Sequence, residues 1–247
     1  MTAVPLGGYP WAMTFTEAPL RGVIAVDGPA GAGKSTVAEE LARRLGGVRL
    51  DTGAIYRTLA LLARERGVPW SDGEALGVLA DALELRFESG EQVQRVLVGD
   101  RDVTADIRTP DISRGASEVS QHGAVRAALL KIQRRLGARG LVVAEGRDMG
   151  TAVFPDALMK FFLVADPEIR ARRRWLELRD RGVEAELEEV LRDQLARDAV
   201  DTQRAESPLR RATDAVEVDS TGLSIDEVVD KLAQLVKKIF SETADGR

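Results

Sequence analysis

The eight residues Gly28–Ser35, GPAGAGKS, constrain this chain more than any other stretch. They fit the pattern G-x-x-x-x-G-K-[ST] and stand between the β-branched run RGVIAVDG and the helical pattern KSTVAEELARRLGG, which Gly46 and Gly47 close. Glycines let successive backbone N–H groups turn inward, and the adjoining helix adds positive potential at its N-terminus. The cradle comprises Gly28, Pro29, Ala30, Gly31, Ala32, Gly33, Lys34, Ser35 and Thr36. In such a loop Lys34 bridges the β- and γ-phosphates of a nucleoside triphosphate, and the Ser35 hydroxyl ligates Mg2+. The motif leaves open whether the phosphoryl group goes to water or to a second molecule.

Strand and helix continue to alternate beyond the loop. VRLD reads as a second buried strand, and 53–66 and 74–83 read as helices. LELRFESGEQVQRVLVGDRDV alternates apolar and polar residues around turns at Ser89-Gly90 and Gly99-Asp100, which predicts a small antiparallel meander inserted into the fold. Helices are expected over about 111–121 and 124–138. GLVVAEG and LMKFFLVAD are further buried strands. Asp166-Pro167 starts the first of two charged helices, about 167–182 and 185–199. DAVEVDST is a last strand, and Ser224 with Glu227 forms a capping box for a terminal helix over about 224–240. Strands alternating with helices imply an α/β fold, a parallel sheet wound on both faces. Ligands then bind beyond the carboxyl ends of the strands. The glycine loop, Asp51-Thr52, Glu145–Asp148 and Asp219-Ser220 are expected at that edge.

Composition narrows the chemistry. The chain has no cysteine and one histidine, His122, so thiolate and histidine metal clusters are excluded and a divalent ion rests on oxygen ligands and substrate phosphates. The absence of cysteine fits a cytoplasmic protein. A net charge of −5 argues against extended nucleic-acid binding, and no apolar run approaches a membrane span. The first twenty residues lack periodicity, a basic start and a long apolar core; they read as a disordered extension, with Met13 as an alternative start.

Three features favour a second molecule over water. Arg57 lies one turn into the helix after Asp51-Thr52-Gly53, and Arg147-Asp148 come after the strand LVVAE, so both can face the cradle. The third is the segment Arg170–Arg211, with eleven arginines, ten acids and no lysine. Phosphoryl transfer between two anions gathers negative charge, and guanidinium groups on a mobile flap neutralise it while closure expels water. Arg172, Arg173, Arg174, Arg197 and Arg204 are candidates. A solvated, salt-bridged hairpin explains the same charge pattern.

The segments IAVDGPAGAGKSTVAEELARRLG, LDTGAIYRTLALLARERGV, VAEGRDMGTAVFPDA and RAESPL together resemble the bacterial cytidylate kinases, from about Gly22 to Phe240. The glycine loop is shared widely; DTGAIYR and the EGRDMGT segment are specific. The Asp-Gly-Phe-Pro-Arg motif of adenylate kinases is missing. The resemblance implies a P-loop NTPase three-layer fold with a five-stranded parallel sheet. It also implies a monophosphate-binding insert over about 52–138 and a lid over about 170–211, within one domain spanning 21–247. It implies ATP and Mg2+, with CMP and dCMP as acceptors, in a monomer.

The resemblance also implies roles. Arg57 holds the acceptor's phosphate and Arg147 joins it, with Thr52 near the acceptor. Ser117 and Arg126 line the cytosine pocket and Asp148 binds the acceptor nucleoside. Arg197 and Arg204 meet phosphate, Asp201 meets the sugar, and Arg173 reaches the transferring phosphates. Cytosine presents an amino donor beside a ring-nitrogen acceptor, so a fixed carboxylate–arginine pair suits it and rejects uracil. Two stretches depart from the family: Glu145 stands where Asp is common, and Ala199 and Val200 interrupt a usually charged run. Another small-acceptor P-loop kinase is the alternative. A guanine-nucleotide switch is disfavoured, because the chain has no asparagine for its base-reading motif.

Overall fold

The computed structural model describes residues 21–88 and 94–245. The expected tail over residues 1–20 and the turn at Ser89-Gly90 lie outside them.

Strand β1 (Gly22–Asp27) is flanked by parallel β6 (Leu141–Glu145) and β7 (Met159–Val164). β2 (Val48–Asp51) and β8 (Val216–Asp219) close the two edges, giving the order β2-β6-β1-β7-β8. The five-stranded parallel sheet is the one expected. Alternation along β1 splits its side chains between two layers. Val23 and Ala25 join a cluster with α2 (Thr52–Glu65), α3 (Gly73–Asp81), α4 (Pro110–Val119) and α5 (Gly123–Gly137). Ile24 and Val26 join another with α1 (Lys34–Leu45) and α8 (Ile225–Asp245). The meander is present as β3 (Leu85–Glu88), β4 (Arg95–Val98) and β5 (Arg101–Asp102), antiparallel throughout. A helical hairpin, α6 (Pro167–Asp180) and α7 (Leu187–Gln203), precedes β8. Among the described residues no helix is long and apolar enough to cross a membrane.

Local chemistry sets the starts of the helices that matter. Asp51 ends β2 and caps α2, accepting the Ala54 N–H at 2.8 Å. Asp166 caps α6 through the Glu168 N–H at 2.9 Å, with Pro167 in the first turn. The capping box at α8 is reciprocal: Glu227 accepts from the Ser224 N–H at 2.8 Å, and the Ser224 hydroxyl accepts from the Glu227 N–H at 3.3 Å. α7 runs past the predicted end at 199 to Gln203. The Arg204 N–H still reaches the Val200 carbonyl at 3.0 Å, and the Thr202 hydroxyl donates to the Asp198 carbonyl at 2.7 Å, so Asp201 lies on a helix.

The turn from β1 into the glycine loop needs a residue without a side chain. Gly28 has φ 147°, and a Cβ there would stand 2.1 Å from the Leu163 carbonyl of the neighbouring strand. That carbonyl belongs to the sheet and cannot yield. Gly28→Ala is expected to lower the free energy of unfolding by about 3 kcal/mol, measured by chemical denaturation. Gly46→Ala, at φ 68° with open space around it, should cost only about 1 kcal/mol.

Candidate active site

Four chain segments meet beyond the carboxyl ends of the strands. The Ser35 hydroxyl donates to Glu145 Oε2 at 2.7 Å, and the Thr52 hydroxyl donates to the Glu145 carbonyl at 2.6 Å. The Ser220 hydroxyl, after β8, donates to the Ala32 carbonyl at 3.3 Å. The glycine loop, the start of α2, the end of β6 and the end of β8 therefore form one edge.

The cradle folds on itself. Lys34 Nζ donates to the Pro29 carbonyl at 2.6 Å and is 5% exposed. Burial lowers its ammonium well below the ordinary lysine value. Arg147 and Arg197 push the same way, while Glu145 and Asp201 oppose. The α6–α7 hairpin rests on the loop. Asp198 accepts the Ala30 N–H at 3.1 Å, and Arg170 and Gln194 donate to the Ala30 carbonyl at 2.8 and 2.9 Å. Arg170 also pairs with Asp198 at 2.6 Å. Sequence reasoning missed these three. Their one available signal, a place within the charged hairpin, did not separate them from its solvated neighbours.

The arginines are paired with acids across the same edge. Arg57 donates to Asp51 at 2.8 Å. Burial alone would raise the Asp51 carboxyl, but Arg57, Arg49 and the Ala54 N–H outweigh it and hold it below the ordinary value. Arg147 donates to Asp201 at 2.8 Å. Arg126 bonds Asp148, and its guanidinium lies 5.7 Å from the centre of the Tyr56 ring. Arg204 approaches Asp148 at 3.7 Å and Asp201 at 3.8 Å, while its Nε donates to the Ser207 carbonyl at 2.7 Å. That last bond gives the RAESPL segment a structural role: Ser207, at φ 48°, turns its carbonyl onto Arg204.

Arg197 differs from the others. Its Nε is buried and has no hydrogen-bond acceptor among the described residues. Burial, with Arg147 next, lowers the guanidinium to about 10 against the pull of Asp201. Among the described residues it makes no ion pair with a carboxylate, unlike Arg57, Arg126, Arg147 and Arg204.

The remaining predicted residues are more scattered. Arg173 leaves the cluster for the end of β8, donating to the Ser220 hydroxyl at 3.1 Å and carbonyl at 2.6 Å. Arg174 pairs with Glu177 at 2.8 Å, and Arg172 is exposed, as in a solvated hairpin. Ser117 is half-buried on α4; its carbonyl accepts from the Ser120 hydroxyl at 2.8 Å, and the Ser120 carbonyl in turn accepts from Arg126 at 3.4 Å. Thr36 lines a cavity of about 370 Å³ with Ser35, Arg49, Arg108, Glu177 and Arg181. Arg57 and Arg147 are turned instead onto Asp51 and Asp201. Arg49 and Arg108 escaped sequence reasoning. Nothing in VRLD or DIRTP marks a site before the fold brings both to the Asp51 edge.

A family model described as Cytidylate kinase matches residues 24–238. The chain belongs to the cytidylate kinase family. It is accordingly a P-loop kinase that phosphorylates CMP with ATP. A cytidylate kinase of Geobacter sulfurreducens is 48% identical over 217 residues, 87% of this chain and 93% of that protein. One of Carboxydothermus hydrogenoformans is 48% identical over 213 residues, 86% of this chain and 96% of its own length. One of Pseudomonas savastanoi pv. phaseolicola is 49% identical over 212 residues, 85% and 93% of the two chains.

In this cytidylate kinase family member, Asp148 is the shared counter-charge of two buried guanidiniums. Removing it leaves Arg126 without its paired carboxylate and Arg204 with only Asp201, at 3.8 Å. Asp148→Ala is expected to cost about 3 kcal/mol of stability by denaturant titration. Asp111→Ala, at the exposed pair with Arg64, should cost less than about 1 kcal/mol.

Proposed function

We propose that this chain works as a Mg2+-dependent (d)CMP kinase whose in-line transfer runs between the cradle Gly28–Thr36 and an arginine-lined acceptor seat. The observation that carries the reading is the convergence of Lys34, Arg57, Arg147 and Arg197 on one sheet edge. Each is either tied to a carboxylate or lowered first by burial and then by its neighbours' positive charge. A set of cations that repel one another is a site that gains from anions.

ATP lies with its phosphates along the cradle, and Lys34 exchanges the Pro29 carbonyl for β- and γ-phosphate oxygens. The acceptor's phosphate draws Arg57 and Arg147 from Asp51 and Asp201, with Arg197 and Arg204 completing its shell. Both phosphates then face each other, and catalysis is positioning plus neutralisation. Arg173, at the base of the lid, joins the transferring phosphates as the α6–α7 lid closes. Asp201, released from Arg147, meets the sugar. The Arg126–Asp148 pair reads cytosine: the carboxylate accepts the amino group and the guanidinium serves the ring acceptor, with Ser117 and Thr52 at the border.

The residues present fit magnesium. Ser35 supplies a hydroxyl beside Glu145, and Glu145 Oε1 is buried with no hydrogen-bond donor among the described residues; its nearest cation is Arg49 at 3.6 Å. Burial, then Asp51, raises the Glu145 carboxyl. Hard oxygen donors of this kind suit Mg2+. Ser35 and Glu145 would hold the ion, directly or through water, and the ion would neutralise β- and γ-phosphate oxygens. We assign a monomer of the cytoplasm whose ligands are soluble nucleotides and that binds neither nucleic acid nor membrane.

An ADP-release assay across CMP, dCMP, UMP, AMP, GMP and shikimate tests the reading. CMP and dCMP should exceed UMP by about 100-fold or more in kcat/KM. Equal use of UMP overturns the cytosine assignment. Lys34→Ala should lower kcat by about 1000-fold with the fold intact by circular dichroism; near-normal turnover contradicts the cradle. Arg57→Ala should raise the KM for CMP about tenfold or more and leave that for ATP nearly unchanged.

A further inference from the structure

The mechanism leaves one buried charge unexplained. Asp27, the last residue of β1, is 4% exposed. It sits directly before the cradle, yet a carboxylate there opposes anion binding. Its oxygens are both engaged: Oδ1 accepts the Met149 N–H at 2.8 Å and Oδ2 accepts the Gly150 N–H at 2.8 Å.

Those two N–H groups open the turn just after Arg147-Asp148. The turn is wide. Val153 N–H reaches back to the Asp148 carbonyl at 3.1 Å, and Phe154 N–H reaches the Met149 carbonyl at 2.7 Å. A wide helical turn, like any helix start, leaves its first N–H groups without partners of its own. Asp27 supplies both from another strand. The far end is gripped as well: Arg134 donates to the Val153 carbonyl at 3.0 Å and the Ala152 carbonyl at 3.2 Å. The turn is seated closely, since a Cβ on Gly150 would stand 3.1 Å from the Lys160 stem and 3.5 Å from Asp27 Oδ2.

We propose that Asp27 is a positioning residue that locks the Arg147–Asp148 turn to the cradle strand, so that donor and acceptor seats keep one spacing. The inference rests on the reading of Arg147 and Asp148 as acceptor-binding groups. Asp27 touches no reacting atom; it acts through the two residues that precede the N–H groups it holds.

The charge balance supports a fixed seat. Burial pushes the Asp27 carboxyl up to about 6, with Asp148 adding to the rise. The Gly150 and Met149 N–H groups oppose, and Lys34 of α1 opposes less. Lys160, from β7, is committed to Asp214 at 2.7 Å. The ionised form is the one that accepts both bonds, so the seat is complete at neutral pH.

Asp27→Asn is the sharpest variant. It keeps the shape, removes the charge, and turns an NH2 donor toward one of the two N–H donors. Coulomb's law alone predicts tighter phosphate binding once a negative charge is removed; loss of position predicts the opposite sign for the acceptor. The KM for CMP should rise about tenfold or more while that for ATP stays within about twofold, with the melting temperature recorded beside them. An unchanged or lowered KM for CMP overturns the proposal. So does an equal rise for both substrates, which is what a loosened sheet would give. Should Asp27→Asn fail to fold, Arg134→Ala decides, since it frees the same turn from its exposed end. A selective rise of about threefold in the KM for CMP supports the proposal, and no change overturns it. Wild-type enzyme that fails to phosphorylate CMP at all overturns the acceptor reading and this inference together; wild-type turnover with an unaltered Asn variant removes only the inference.

Discussion

Guanidinium groups cannot be gathered out of water without counter-charge, and this constraint organises the site. Arg57, Arg126, Arg147 and Arg204 each meet a carboxylate at the sheet edge: Asp51, Asp148 or Asp201. Each acid is buried by an element with another duty. Asp51 caps α2, Asp201 lies on the last turn of α7, and Asp148 begins the turn that Asp27 seats. Folding and, in the proposed reading, substrate binding therefore draw on the same pairs. An isolated buried pair adds little net stability, since desolvation offsets attraction, but losing one partner is costly. Such pairs suit exchange: in the proposed reading a substrate phosphate takes over a guanidinium that a carboxylate holds in its absence.

The hairpin α6–α7 is anchored to the cradle through one peptide group. Asp198, Arg170 and Gln194 close on both the N–H and the carbonyl of Ala30. The next glycine, Gly31, has no room for a side chain, because a Cβ would stand 2.1 Å from Gln194 Nε2. The base of the hairpin is thus fixed to the cradle. Arg197, one helical turn beyond Gln194 and beside Asp198, is held near Arg147 and Asp201 by the same attachment. Arg173, on the other helix, points to the end of β8. The hairpin thus touches both the cradle and the end of β8, as the proposed lid requires.

The fold was legible because its signals are local. The β-branched runs, the glycine loop, Asp166-Pro167 and the Ser224/Glu227 box are each read within a few residues, and each marks an element boundary that the structure has. The edge on which Arg57 and Arg147 gather followed from strand direction alone. Their partners did not. Arg147 and Asp201 are 54 residues apart, and Ala30 and Asp198 are 168 apart. Which acid meets which arginine depends on the packing of a hairpin whose charges look alike along the chain. The end of α7 was misjudged for a related reason. Ala199 and Val200 break the charge run without breaking the helix, and Asp201 became a helical residue. Asp27 was hidden because an acid before a glycine loop reads as the end of a strand.

The central claim is that acceptor phosphate takes the place of carboxylates on Arg57 and Arg147 while facing the cradle. A crystal structure with CMP and an unreactive ATP analogue tests it most directly. The account predicts the CMP phosphate within hydrogen-bond distance of both guanidiniums, opposite a terminal phosphate held by Lys34, with the Arg57–Asp51 and Arg147–Asp201 bonds given up. A CMP phosphate bound elsewhere, with both of those bonds intact, would contradict it.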